Sequence, residues 1–329
     1  MKKLFVFALI TSIYAIPVLS QDTTQIDFKP SGKPIALIYT NFHASFTQNQ
    51  TNLAFEVTRA YLGYEYNFSK RLYGKINIDV GDPGVGKLQM TAYLKNAYLR
   101  YRTERFTLTA GMIGLYQFKV QETVWENRYI EKSFMDLYKF GPSADLGVVA
   151  DYKIADFLHI DGSILNGEGY KLIQADSTLK YSIGTTIYPV KNLIVRAYYD
   201  YMKKNVAQQT VAFFVGYSSE RFSLGGEYNL QIDHNIIANH DFDGVSFYGN
   251  WHFKNNMKIF ARYDRLHSEK VGTEESPWNF TNDGHLYIAG FEFSPLKGIR
   301  ISPNFQGWDP MDANNSFISR IFLNAEYKF

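Results

Sequence analysis

The segment from Ile321 to Phe329 alternates without a break. Phe322, Asn324, Glu326 and Lys328 occupy one parity, and Ile321, Leu323, Ala325, Tyr327 and Phe329 the other. Successive side chains of a strand point to opposite faces, so one face of this segment is apolar and aromatic and the other carries charge. That is the one-in, one-out pattern of a wall whose outer face meets hydrocarbon and whose inner face meets water. The reading places this end of the chain, with its aromatic Phe329, inside such a wall.

The pattern recurs. Candidate strands cover 33–43, 53–67, 71–80, 91–102, 105–113, 143–152, 156–165, 178–188, 191–203, 207–217, 220–231, 243–254, 256–267, 283–294, 298–307 and 318–329, sixteen in all. An even number brings both ends to the same side. Short connections near 67–71, 102–104, 152–156, 188–192, 218–221, 254–256 and 294–298 alternate with longer ones near 44–52, 81–90, 114–142, 166–177, 232–242, 268–282 and 308–317. Tight turns on the periplasmic side and long loops outside are the asymmetry expected of a transmembrane antiparallel β-barrel. Only the connection near 204–207 departs from it by being short. The expected fold is therefore an all-β barrel of sixteen strands, with a bacterial outer membrane as its solvent. A large soluble sandwich is the competing architecture, because it too is built from alternating strands.

Several strands assign their faces independently. On 53–67, Thr58, Ala60, Leu62, Tyr64 and Tyr66 point to lipid, and Arg59, Tyr61, Gly63, Glu65 and Asn67 point inward. On 256–267, Ile259, Ala261 and Tyr263 oppose Lys258, Arg262 and Asp264; on 298–307, Ile299, Ile301 and Phe305 oppose Arg300, Ser302, Asn304 and Gln306. Strand 91–102 is less clean. Ala97, Leu99 and Tyr101 point outward and Asn96, Tyr98 and Arg100 inward, which leaves Lys95 on the outward parity, at a rim or out of register.

The opposite end names a compartment. Lys2 and Lys3 precede an apolar run from Leu4 to Leu19, and Val18 and Ser20 are small residues ahead of a cut that leaves Gln21 first. This is the layout of a secretory signal peptide over residues 1–20, with a retained anchor as the alternative, and with the barrel domain as 21–329. Cleavage removes two lysines and no acid, so the formal charge falls from +2 to 0. A neutral chain lacks the basic excess of a nucleic-acid partner. With no cysteine, the chain has neither a disulfide scaffold nor a thiolate metal site. The 25 Tyr and 26 Phe, at a mean hydropathy of only −0.24, suit the aromatic girdles of a barrel in contact with outer-membrane lipids.

The inward parity then defines candidate pore-lining residues. Arg59, Lys75, Arg100, Arg196, Lys258, Arg262, Arg300 and Arg320 alternate with Glu65, Asp79, Asp200, Glu227, Asp264, Glu292 and Glu326. Fixed charges of both signs keep a lumen wet and favour small polar solutes and ions. A second use for the same residues is mutual pairing that holds the interior together. The longest connection, 114–142, has zero formal charge and carries Tyr116, Phe118, Trp125, Tyr129, Phe134 and Tyr138 among Lys119, Glu122, Glu126, Arg128, Lys132 and other charges. So aromatic a segment is expected to fold into the lumen and narrow it; an outer cap is the alternative.

Arg59-Ala-Tyr-Leu-Gly-Tyr-Glu-Tyr, Lys95-Asn-Ala-Tyr-Leu-Arg-Tyr and the strand before Gly111-Met-Ile-Gly, together with sixteen strands, a long third external loop and a terminal Phe, resemble the bacterial porins. The phosphate-selective porin O and P group is the branch these motifs resemble. The resemblance implies a trimer in which the third loop constricts each channel. Its anion-selective members carry a basic ladder and a lysine cluster, whereas here acids match the bases.

Enzyme motifs are weak. Gly81-Asp-Pro-Gly-Val-Gly-Lys87 has the spacing of a phosphate-binding loop, but Leu88 stands where Ser or Thr is required and a strand follows instead of a helix. The seven histidines form no compact ligand motif, and Asp241 with Asp243, or Asp309 with Asp312 and Asn314, lacks the arrangement of a calcium loop. No metal and no cofactor is expected. A passive channel is the expected function; a plugged barrel acting as an adhesin or structural protein, and a barrel enzyme, are the alternatives.

Overall fold

The computed structural model describes residues 28–48, 50–81, 90–174 and 177–329. The signal-peptide region and most of the Gly81–Leu88 motif lie outside the described residues. Among the described residues the strands are β1 (Ser31–Phe46), β2 (Thr51–Asn67), β3 (Leu72–Gly81), β4 (Thr91–Arg102), β5 (Phe106–Gly114), β6 (Ala144–Ala155), β7 (Leu158–Leu165) and β8 (Lys180–Ile187). They continue as β9 (Leu193–Lys203), β10 (Ala207–Ser218), β11 (Phe222–Ile232), β12 (Phe242–Lys254), β13 (Met257–Ser268), β14 (Gly284–Leu296), β15 (Ile299–Pro310) and β16 (Ile318–Lys328). Each pairs antiparallel with its chain neighbour, and β1 closes on β16, where Phe42 faces Leu323 and Ile38 faces Tyr327. The Phe329 amide extends the seam by donating to the Ala36 carbonyl at 3.0 Å. Closure leaves no edge strand, so the ladder satisfies the backbone without help from the surroundings.

The two faces are inverted relative to a soluble protein. Leu62, Ile76, Leu99, Ile183, Val215, Phe247 and Ile321 are exposed, whereas Asp79, Asp161, Arg196, Asp200, Glu227, Arg262 and Asp264 are buried. Charged side chains are almost never buried unless paired. Here the charged face is turned inward and the apolar one outward.

Two bulges modify the expected facing. Arg59 pairs with Tyr39 but Val57 pairs with Thr40, so Thr58 is an extra residue in β2. The exposed parity therefore changes from Leu53, Phe55 and Val57 to Leu62 and Tyr64 across it, and Thr58 is not a regular member of one outward series. Likewise Asn77 pairs with Asn96 and Ile78 with Leu94, which makes Lys95 the extra residue of β4. Lys95 is thereby turned onto the charged face beside Asn96, correcting its outward assignment.

The connection from β5 to β6 holds two helices, α1 (Lys119–Trp125) and α2 (Phe134–Leu137). In α1 the Thr123 hydroxyl donates to the Lys119 carbonyl at 2.8 Å. The helix stops at Glu126, which is left-handed at φ 65° and returns its N–H to the Glu122 carbonyl. Val124, Trp125, Tyr129 and Ile130 form one buried cluster with Tyr39, Phe214, Tyr248, Phe260, Leu286 and Ile288 of the wall. Phe118, Phe134, Met135 and Phe140 form a second with Tyr198, Ala212, Phe242 and Leu266. These wall partners lie on the parity opposite the exposed apolar one.

Candidate permeation site

Polar contacts hold the 115–143 segment against β9 and β12–β16. The Asn127 amide donates to Asn250 Oδ1 at 2.7 Å, and Asn250 Nδ2 in turn donates to Ser223 Oγ at 2.7 Å and to the Trp125 carbonyl at 3.2 Å. The Tyr129 hydroxyl donates to Glu292 at 2.9 Å, and the Tyr248 hydroxyl to the Gln121 carbonyl at 2.9 Å. Arg262 donates to the Lys132 carbonyl, Arg300 to the Glu126 carbonyl and Arg196 to the Tyr116 carbonyl. The Glu126 carboxylate accepts from Lys258 at 3.1 Å and lies 3.1 Å from His252. Burial opposes its charge, but Lys258, the Ser223 hydroxyl and His252 outweigh burial and hold its pKa low.

The wall charges named from parity are mostly matched. Arg262 is bidentate with Asp264 two residues on, at 2.8 and 2.6 Å, and its guanidinium lies 5.1 Å from the Trp125 ring. Arg300 is bidentate with Glu326 at 2.7 Å and lies over the Tyr129 ring at 4.4 Å; Lys258 and Arg300 both approach Glu292 at 3.5 Å. Lys75 pairs with Glu65 at 3.3 Å. Asp79 accepts from Arg59, Lys95 and the Tyr170 hydroxyl. Asp200 is joined to Lys180 at 2.8 Å, and Arg196 to Asp161 through both guanidinium nitrogens. Arg100 donates to Thr109 and stacks on the Tyr98 ring, while Glu227 is buried and accepts from Asn229. Arg320 is half-buried on the parity of Asn324 and Glu326 and has no ion pair among the described residues.

Residues of the segment itself divide by role. Trp125 is fully buried and anchors α1. Arg128 bridges Glu122 at 3.1 Å and Asp136 at 2.8 Å; burial opposes its charge, but Asp136, Tyr61 and Glu122 outweigh burial and raise its pKa. Lys119 lies over the Tyr116 ring at 4.7 Å, and burial together with Arg100 lowers its pKa. Lys95, Asp161 and Lys180 belong to the paired inner set beyond the residues that parity names. Asp161 shares the parity of His159 and Ser163, which is a readable signal, whereas Lys95 shows in the sequence only as a break in parity that its bulge explains.

Two cavities lie toward opposite ends of the wall. One of about 630 Å³ sits on the long-loop side and is lined by Arg59, Lys132, Asp136, Lys139, Glu168 and Tyr170 among others. The other, of about 300 Å³, lies toward the short turns and is lined by Lys119, Thr123, Asp151, His159, Asp161 and Arg196 among others.

No family model and no curated protein matches the sequence. Solved structures match the fold over nearly its whole length. The outer membrane channel DcaP of Acinetobacter baumannii superposes with a TM-score of 0.67 at 14% identity, covering 91% of this chain and 97% of that one. OmpF of Salmonella typhi, in complex with daunomycin, gives 0.68 at 11% identity, covering 91% and 97%. The trimer form of OmpT, an outer membrane protein of Vibrio cholerae, gives 0.60 at 13% identity, covering 91% and 100%. The chain thus has the sixteen-strand barrel fold of outer-membrane channels.

Proposed function

We propose that this chain is a passive channel of the bacterial outer membrane, whose 115–143 segment lies in a water-filled lumen and narrows it for small polar solutes and ions. The observation that carries this reading is the inversion of the wall: exposed Leu, Ile, Val and Phe outside, charges of both signs inside. An apolar outer surface on a closed barrel suits a bilayer, and a charged interior suits water. The fold shared with an outer membrane channel supports it.

Residues 1–20 act in this reading as the export signal and 21–329 as the barrel, bounded by outer-membrane lipids and using no cofactor, metal or nucleic acid. Bases balanced by acids argue for a general porin over a phosphate-selective one. A homotrimer is part of the proposal, supported by the trimer form of the OmpT structure. The dense packing of Trp125, Phe134 and Phe140 favours one competing reading, a plugged barrel that works through its outer loops. Proteoliposome swelling separates the two. Ribose must enter faster than raffinose in protein-dependent fashion for the channel, and neither enters if the barrel is plugged.

A further inference from the structure

The 630 Å³ cavity contains charges of both signs that the protein leaves unmatched. Of its five basic residues, Arg59 is closed on Asp79, Lys180 on Asp200, and Lys171 lies over the Tyr93 ring. Lys132 and Lys139 have no carboxylate in ion-pair reach among the described residues. On the acidic side, Asp136 is held by Arg128. Glu168 is different: both of its carboxylate oxygens are buried and no protein donor among the described residues reaches them.

All three groups sit on pinned backbone. Gly167 and Gly169, at φ 107° and 84°, flank Glu168; a Cβ at either would lie 2.5 Å from Met202 or Pro142. The Gly167 amide donates to Asp145 at 2.6 Å and the Tyr170 amide to the Ala144 carbonyl at 2.9 Å, so the turn that presents Glu168 is tied to β6. Lys132 is held by its carbonyl to Arg262 and by its amide to Glu131, and Lys139 is followed by a Phe140 amide bonded to the Met135 carbonyl.

A buried acceptor without a donor is costly, and the cost is removed when a ligand supplies one. The cavity is of the size that holds small ligands, about 300–1,000 Å³. A solute with a single charge satisfies one end and leaves the other open. We propose that this cavity is a binding station for zwitterionic solutes with separated ammonium and carboxylate groups, the class of amino acids and short peptides. The ammonium is taken by Glu168 and the carboxylate by Lys132 and Lys139. The proposal rests on the channel reading for the solute's route to the cavity.

The probes are glycylglycine, N-acetylglycylglycine and glycylglycine ethyl ester, titrated calorimetrically into folded barrel in detergent at neutral pH. Glycylglycine is expected to bind at least about tenfold tighter than either singly charged analogue, the worth of one charge-assisted hydrogen bond. Glu168→Gln removes its advantage over the acetylated peptide, and the Lys132→Gln, Lys139→Gln pair removes its advantage over the ester. Equal affinities for the three probes, or an advantage intact in Glu168→Gln, overturns the proposal, as does absence of binding to barrel whose fold is verified by heat-modified gel mobility. Ribose flux is measured in parallel: binding without flux overturns the channel and keeps the station, and flux without discrimination does the reverse.

Discussion

The Asn127 side chain donates to Asn250 across 2.7 Å, although the two lie 123 residues apart. Asn250 also holds the Trp125 carbonyl and Ser223, so a single buried amide on β12 fastens the end of α1 to the wall. Asn250→Ala leaves the Asn127 amide and the Ser223 hydroxyl without this partner. It is expected to lower the temperature at which the barrel loses its compact gel mobility and to raise cleavage within 115–143 by added protease. Unchanged cleavage would show that the apolar clusters alone secure the segment.

Trp125 adds an apolar anchor beside those hydrogen bonds. It is fully buried, its ring packs at 5.5 Å from Tyr248 and 6.1 Å from Phe260, and Arg262 lies over it. Trp125→Ala is expected to cost about 3–5 kcal/mol, the range for removing a large buried ring. Because the segment is the narrowing element in the proposed channel, channels of this variant should conduct more than the parent. A destabilised barrel with unaltered conductance would place the narrowing elsewhere.

Asp79 collects Arg59, Lys95 and the Tyr170 hydroxyl. Asp79→Asn removes the one negative charge from that group and leaves two cations facing each other. Breaking a buried pair in this way costs about 3–5 kcal/mol. Where the variant folds, its reversal potential in a salt gradient should shift toward anions. Asp79→Asn with parental selectivity would mean that permeating ions do not pass this group.

Lys95 shows where the sequence stops being readable. The sixteen strands and their approximate limits follow from alternation, and the faces follow from where charges fall. On its own strand a bulge leaves only a charge on the wrong parity, which a rim position explains equally well; the partner strand, with Asn77 opposite Asn96 and Ile78 opposite Leu94, identifies it. Thr58 is hidden for the same reason. The partners of the long connection were illegible too, since nothing local in Asn127 or Tyr129 points to Asn250 or Glu292. Within one strand the reading fares better: Arg262 and Asp264 share a parity two residues apart and do pair.

The long loop after β11 gives a dependence on pH. His234 stacks on Trp278 and meets Phe242 edge-on, and burial, followed by His240 and Lys139, pushes its pKa down to about 4. A histidine in an opened loop takes a proton near pH 6.5, which the packed ring refuses until about pH 4. Loop stability is therefore full above about pH 6.5, falls as the pH drops through that window, and levels off below it. Hydrogen exchange of 233–241, corrected for intrinsic rates, should lose protection severalfold between pH 7 and pH 5. His234→Phe should flatten the part of that loss due to this ring, and an equally steep loss in the variant would assign the dependence to other groups.

Phe247 is exposed near the middle of β12, between inward Ser246 and Tyr248. If its surroundings are hydrocarbon, Phe247→Arg costs about 2–4 kcal/mol near the bilayer midplane, whereas Phe247→Leu is nearly neutral. Refolding yields into lipid vesicles compare the two. Equal yields would argue against a lipid-facing position.

Single-channel recording in a planar bilayer under a KCl gradient shows whether a water-filled path crosses this barrel. Folded, purified protein should give stable unitary steps with a finite reversal potential, reflecting the mixed charges of the inner face. Verified barrels that insert into the bilayer and pass no current would contradict such a path and leave the plugged barrel as the account of the same structure.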